Sequence, residues 1–463
     1  MSRYTSATDA DRRAMLKEIG AGSIDELFAD IPQSVRLDRP IDLPPGKPEQ
    51  EVYAYLRDLA ARNVSAEDEV SFVGAGMYDH YVPSLVDALL ARSEFLTPYT
   101  PYQPEVSQGT LQVMFEYQTA ISELTGLPVS NATLYEGPSA VASAGWMARL
   151  QNGRGRFLVS RALHPHSREA LATTAAGYGT AVEELPLAAG VTDAGALREA
   201  VGDDVSAVFL QQPNFLGAVE DLELLAPIAR NAGPPAPLLV VQVDPMTLGV
   251  LRPPGDFEVD VAVGEGQSLG NRLDYGGPSF GFFATQEAYM RRMPGRIAGE
   301  TVDADGKRGF VLTLQTREQH IRREKATHNI TTAQTLNALA GVVYLAWLGR
   351  RGIVELGELL LHRTAYARRT LAGLEGVELL HEQPVVREFA VRLAGLGGGG
   401  FSRVIERCAE QGVNPGYPLA ADYEEHADGL LVAITEQRSR ADIDRLAEVL
   451  GAAVAAEREA VHA

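Results

Sequence analysis

The segment Tyr99-Thr-Pro-Tyr102-Gln103-Pro-Glu105-Val-Ser107-Gln108-Gly109 packs phenols, amides, a carboxylate and a hydroxyl between prolines. Tyrosine hydroxyls stay protonated near neutrality and donate hydrogen bonds from rigid aromatic bodies. The segment is too polar for a core and too rigid for an idle loop, so it reads as a preorganised polar surface. Two roles stay open: positioning a substrate, or cementing a dimer. Tyr135-Glu136-Gly137-Pro138-Ser139-Ala140 reads as a strand end turning into a helix. The free N–H groups and positive dipole end of such a helix can hold an anion such as a phosphate. Asp244 closes the apolar run Leu238–Val243, either as a carboxylate offered to a ligand or as a turn residue before Pro245. His164-Pro165-His166 reads as a surface turn and not a metal pair, because a proline intervenes between the two histidines. His80, between Tyr78 and Tyr81, either faces a cleft or is a satisfied core histidine. The run Arg317-Glu-Gln-His320-Ile-Arg322-Arg323-Glu324-Lys325 concentrates positive charge. It can hold a phosphate or carboxylate, or Glu318 and Arg322 can simply pair at i, i+4 on an exposed helix.

Bringing such residues together requires a sheet. From Asn131 to about Thr285, short apolar or β-branched runs alternate with helical segments, the signature of βα units. The strands expected are Ala132–Tyr135, Arg156–Ser160, Ala181–Leu185, Val205–Gln211, Pro237–Val243, Val259–Val263 and Phe280–Ala284, with helices such as Pro138–Leu150 and Leu222–Arg230 between them. This predicts an α/β fold with a mostly parallel sheet covered on both faces, and ligands at the carboxyl ends of its strands. Upstream, Thr5 and Asp9 before Met15 and Leu16, then the Ser23/Glu26 capping box, predict two short helices. The proline-rich stretch Arg39–Pro48 reads as an extended arm. Downstream, Thr327 or Asn329 is expected to cap a long apolar helix running toward Gly349. A smaller α+β unit follows, with strands near Val377–Leu380, Arg387–Leu393 and Leu430–Ile434 and a final helix from Ser439. Gly397–Gly400 reads as a plain turn, since no Lys-Ser/Thr follows it. The expected division is an amino-terminal helical and extended arm over 1–70, a large α/β domain over 71–330, and a linking helix with a small α+β domain over 331–463.

Composition narrows the function. The formal net charge is −20 over 463 residues, which offers no general field to attract nucleic acid or an anionic membrane face. Cys408 is the only cysteine, so an intramolecular disulfide is impossible and a cysteine-based zinc site is disfavoured. A reducing cytoplasm fits, and no signal peptide or membrane anchor is read from the apolar pattern.

The strand order invites comparison with the large domain of fold-type-I pyridoxal-phosphate enzymes. In those enzymes a phosphate-binding turn, an aspartate against the pyridine nitrogen and a Schiff-base lysine follow in that order. The turn at Glu136 and the aspartate at Asp244 match. The place of the lysine falls in Gly264-Glu-Gly-Gln267-Ser268-Leu-Gly270, which contains none. The chain's lysines are Lys17, Lys47, Lys307 and Lys325, and none stands one strand and one turn beyond Asp244.

The runs Phe72-Val-Gly-Ala-Gly-Met-Tyr78-Asp-His80-Tyr81, Tyr99 to Gly109 and Phe115-Glu-Tyr-Gln-Thr119 resemble those of the glycine decarboxylase P-protein family. So do Val263 to Gly270, Tyr275-Gly-Gly-Pro278, Met293-Pro-Gly-Arg296 and Leu314 to Thr327. The likeness runs from about Arg3 to Leu450, with Glu136 standing where Asp is usual and His328 where Ser is usual. It implies the lysine-lacking α-type subunit of the glycine cleavage system, working beside a β subunit that carries the pyridoxal phosphate. This chain would hold no cofactor, and the lysine position near Gln267 and Ser268 would be vacant. The resemblance further implies glycine as substrate, the lipoylated H-protein as acceptor of the aminomethyl group, and an α2β2 assembly with the arm over the partner. On this reading Tyr99, Tyr102, Gln103, Glu105, Ser107 and Gln108 reach across the subunit boundary toward the partner's cofactor. A non-catalytic scaffold, and an independent pyridoxal-phosphate enzyme using one of the four lysines, are the competing readings.

Overall fold

The structure is a computed structural model that describes residues 5–277, 279–330 and 332–462. Pro278, part of one family-like run, lies outside them. The chain divides into two units, Met1–Val64 and Ser65–Ala463.

In the first unit, helix Asp9–Ile19 starts at Thr8, whose side chain accepts from the Asp11 N–H while Asp11 accepts from the Thr8 N–H. This reciprocal cap satisfies two otherwise orphaned donors. The expected second helix at Ser23 is only a single 3-10 turn, Asp25–Phe28. A helix not anticipated from sequence, Glu49–Ala60, follows the proline-rich stretch. None of these helices buries a residue, and Phe28, Val35, Ile41 and Leu43 are all exposed.

The second unit is built on a seven-stranded sheet: β1 Val129–Ser130, β2 Arg156–Ser160, β3 Ala181–Leu185, β4 Val205–Gln212, β5 Leu238–Val243, β6 Val261–Glu265 and β7 Gly281–Thr285. Their spatial order is β1-β7-β6-β5-β4-β2-β3, with β7 antiparallel to its neighbours and the pairs β6/β5, β5/β4, β4/β2 and β2/β3 parallel. Alternate residues of each strand enter opposite faces. Leu158, Val208, Leu239, Val241 and Phe282 therefore pack on one side with Tyr117, Leu222 and Ala340. Phe157, Val159, Phe209, Val240 and Phe283 pack on the other with helices Gly137–Asn152 and Pro165–Gly177.

The first expected strand is displaced. Ala132–Tyr135 is not a strand, because Thr133 has φ +78° and only Leu134 bridges to Gly281; the pairing strand is Val129–Ser130. The long helix begins at Thr335 after Gln334, not at a Thr327 or Asn329 cap, and runs to Ala372. Gly349, at φ +63° and ψ 178°, breaks it into two helical arms instead of ending it. Beyond it a four-stranded antiparallel sheet pairs Glu388–Leu393 with Val377–Leu379 and Gly429–Ala433. Helices Gly400–Glu410 and Arg440–His462 cover that sheet. Val70–Ser71 pairs in parallel with Val413–Asn414, and Phe72 packs in this carboxyl-terminal core.

Candidate functional site

The carboxyl ends of β2, β4, β5 and β6 open onto a cleft whose far wall is the start of strand Glu388–Leu393. Asp244, one residue past β5, accepts from Arg387 Nε at 2.6 Å through Oδ2 and from the Met246 N–H at 3.1 Å through Oδ1. Arg387 is 3 % exposed and lies with its guanidinium carbon 3.4 Å from the centroid of the Tyr78 ring. It also donates to Ser268 Oγ at 3.4 Å and to His80 Nε2. Because an arginine only donates, His80 Nε2 accepts, and its Nδ1 carries the proton to Glu436 Oε2 at 2.6 Å. Of the two readings of His80, the structure selects a buried histidine inside the cleft's wall.

Glu388 sits beside Arg387, fully buried, accepting from the Ala75 N–H at 2.8 Å and from the Tyr78 hydroxyl at 2.7 Å. Burial raises its carboxyl from 4.5 to about 7 against the pull of those two donors and Arg387. His164 is not a surface turn. It caps helix Pro165–Gly177, its Nδ1 accepting from the His166 N–H while Nε2 lies 2.9 Å from the Ala75 carbonyl, and its ring lines the cleft. Burial lowers its pKa to about 4, so it is neutral.

At the expected lysine position, Gln267 is 1 % exposed. Its Oε1 accepts from the Tyr78 N–H at 2.9 Å, and its Nε2 donates to the Tyr78 and Asn271 carbonyls at 3.2 and 2.8 Å. At the helix start expected to hold an anion, two of the chain's own carboxylates stand. Glu136 accepts from the Ser139 N–H at 3.1 Å, and Glu265 from the Gly137 N–H at 2.9 Å. Burial raises the Glu265 pKa, opposed by bonds from Gly137, Ser279 and Gln267. What space is left measures about 40 Å³, room for a few waters.

A second polar cluster forms around Tyr102. Its hydroxyl donates to Glu318 Oε2 at 3.3 Å and accepts from Arg296 at 3.1 Å, and its ring meets His320 edge-on at 5.3 Å. Glu318 is 2 % exposed and faces Arg296 and His320, so the sequence expectation of an exposed Glu318–Arg322 pair fails. Arg317 is buried and donates to the carbonyls of Leu314, Met293 and Gly295. His328 is buried beside these cations, its pKa lowered to about 4 first by burial and then by Arg317 and Arg296. Tyr99 stands in solvent at 90 % exposure, whereas Gln108 is engaged: its Nε2 donates to the Pro104 and Phe310 carbonyls and its Oε1 accepts from the Phe310 N–H. Gln103 precedes the 3-10 turn Pro104–Val106 that contains Glu105, and Ser107 precedes helix Gln108–Thr125. A cavity of about 170 Å³ lies between Tyr99, Thr110, Arg296 and Thr335.

The family model for the glycine cleavage system P-protein matches residues 2–450. The probable glycine dehydrogenase (decarboxylating) subunit 1 of Geobacillus kaustophilus is 46% identical over 451 residues, 97% of this chain and 99% of that one. The chain belongs to the glycine cleavage system P-protein family. A crystal structure of the glycine decarboxylase P-protein in inhibitor-bound form superposes with TM-score 0.86 at 44% identity, covering 98% of this chain and all of that one. A sphingosine-1-phosphate lyase of Burkholderia pseudomallei, at 18% identity and TM-score 0.65 over 93% of this chain and 96% of that one, shares the fold alone. The fold is that of the fold-type-I pyridoxal-phosphate enzymes. The name subunit 1 among its relatives implies a partner subunit. Among the described residues no helix is long and apolar enough to cross a membrane, and no cluster of His, Cys, Asp and Glu has metal-holding geometry.

Sequence reasoning missed Arg387, Glu388, Glu265 and Glu436. For Arg387 and Glu388 the available signal was an adjacent charged pair at the start of a strand, since such charges need partners when buried.

Proposed function

We propose that this chain is the α-type subunit of a glycine-decarboxylating P-protein. Beside a β subunit that bears pyridoxal phosphate, it completes the enzyme that decarboxylates glycine and passes the aminomethyl group to the lipoyl group of the H-protein. The observation that carries the reading is the state of the strand-end cleft. The residues there do not fit pyridoxal phosphate: an amide stands at the lysine position, Asp244 is paired with Arg387, and the helix start at Gly137 is capped by Glu136 and Glu265. A phosphate would meet two carboxylates where it needs donors.

The polar segment Tyr99, Tyr102, Gln103, Glu105, Ser107 and Gln108 is then this chain's contribution to the partner's site. Its Tyr99 stands exposed and its Tyr102, held by Arg296 and Glu318, is partly exposed, so the segment presents two phenol rings at the surface of this chain. Decarboxylation favours a wall that removes water from the departing carboxylate, and a rigid proline-flanked loop supplies one. The unit Met1–Val64, whose helices bury nothing of their own, is assigned to wrapping the β subunit in an α2β2 cytoplasmic assembly. The large domain over 71–330 and the small domain over 331–463 belong to the same proposal. A non-catalytic scaffold is the second reading, favoured by Gln108, whose amide is spent on Phe310.

Copurification with a β subunit followed by glycine–bicarbonate exchange tests the reading. Exchange that requires both chains is expected; exchange by the β subunit alone at the full rate would reject it.

A further inference from the structure

We infer that this chain has replaced the cofactor with its own side chains: the Glu265 carboxylate stands in for the phosphate and the Arg387 guanidinium for the ring, where it ties the small sheet to the large one. The inference deepens the reading that no cofactor sits here, and adds that the site is filled and in use.

The parallel is chemical. A pyridinium ring is a planar cation that gives an N–H to an aspartate, and a guanidinium is also a planar cation with N–H donors. Arg387 gives Nε–H to Asp244 at 2.6 Å and sets its guanidinium carbon over an aromatic face, 3.4 Å from the Tyr78 ring centroid. The helix start at Gly137 receives a carboxylate from Glu265, which meets the same N–H groups that would otherwise take an anion. Gln267 holds the turn by three hydrogen bonds of its side-chain amide, where a lysine would form an imine.

The arrangement also ties distant layers. Arg387 and Glu388 open a strand of the carboxyl-terminal sheet; Asp244 follows β5 of the large sheet, and Ala75 and Tyr78 lie in the segment after Val70–Ser71. Glu436 extends the tie through His80 and the Tyr81 N–H at 2.7 Å, and Arg438 adds a bond to Asp79 at 2.7 Å. With a buried cation shared among Asp244, Glu388, Tyr78 and His80, opening the cleft would strand several charges at once.

The experiment restores the lysine to the full-length chain. Wild type, Q267K and Q267K/E265S/R387A are incubated with pyridoxal phosphate, reduced with borohydride and scored by peptide mass for a label on residue 267, with folding checked by circular dichroism. The expected result is no label on Q267K and near-stoichiometric label on the triple variant. Stoichiometric label on Q267K alone overturns the surrogate, as does a folded triple variant that stays unlabelled. Label on another lysine of the wild type would instead sink the reading that this chain carries no cofactor. Should the triple variant fail to fold, hydrogen exchange on R387M decides. Exchange at the Ala75 and Tyr78 amides at least tenfold faster than in wild type supports the clamp, and unchanged exchange overturns it.

Discussion

Replacing Glu388 by Gln should flatten the pH dependence of stability. The carboxyl is fully buried and raised from 4.5 to about 7, chiefly by burial. The unfolded chain therefore loses this proton near 4.5, whereas the folded chain keeps it to about 7. Between those values the folded state holds one more proton, so stability falls as pH rises, with the full cost present above the folded value. At about 1.36 kcal/mol per pH unit the penalty is about 3 kcal/mol. Glutamine keeps an acceptor for the Ala75 N–H and lets the Tyr78 hydroxyl turn from donor to acceptor, so it carries the fold without the titration. Unfolding free energies from urea titrations of the full-length wild type and Glu388→Gln, taken between about pH 5 and about pH 8, should diverge by about 2 to 3 kcal/mol, wild type losing ground as pH rises. Glu265 also has a raised pKa, but it is present in both proteins and cancels in the difference. Parallel pH profiles would refute the assignment of a buried, late-titrating carboxyl at this position.

Tyr102→Phe removes a hydroxyl that bonds both Arg296 and Glu318; exchange activity of the assembled complex should fall roughly tenfold or more with assembly intact. Unchanged rates for both Tyr99→Phe and Tyr102→Phe would reject a catalytic contribution. Gln267→Leu leaves the Tyr78 N–H and the Tyr78 and Asn271 carbonyls short of partners in a buried site. A loss of about 2 to 4 kcal/mol by urea denaturation is expected, and a loss below about 0.5 kcal/mol would contradict the bonding. Gly145→Ala places a methyl 2.5 Å from Leu171 Cδ1 and 3.2 Å from both Phe157 and the Tyr178 hydroxyl. Overpacking of this kind costs about 1 to 3 kcal/mol, and thermal unfolding at or above the wild-type temperature would refute the close helix packing.

Much of the sheet was readable because each strand carries its own evidence. Arg156–Ser160 and Leu238–Val243 hold continuous apolar and β-branched runs. Strands buried on both faces are short, continuous and bounded by turns. Ala132–Tyr135 failed because the residues look strand-like while Thr133 takes a left-handed conformation that no local preference announces. The helix start failed similarly: Thr327 and Asn329 are good caps by type, but Gln334 begins the helix because its N–H is taken by Thr133 Oγ1, from a loop 201 residues away.

That no lysine stands one strand and one turn beyond Asp244 needed only the order of residues. What surrounds that place needed the fold. Arg387 meets Asp244 across 143 residues and His80 meets Glu436 across 356, and a charge pair leaves no mark on the intervening sequence. Residue type decides which reactions a chain can perform. Which buried charges neutralise one another, and so whether a cleft is open or filled, is decided only when packing brings them out of water together.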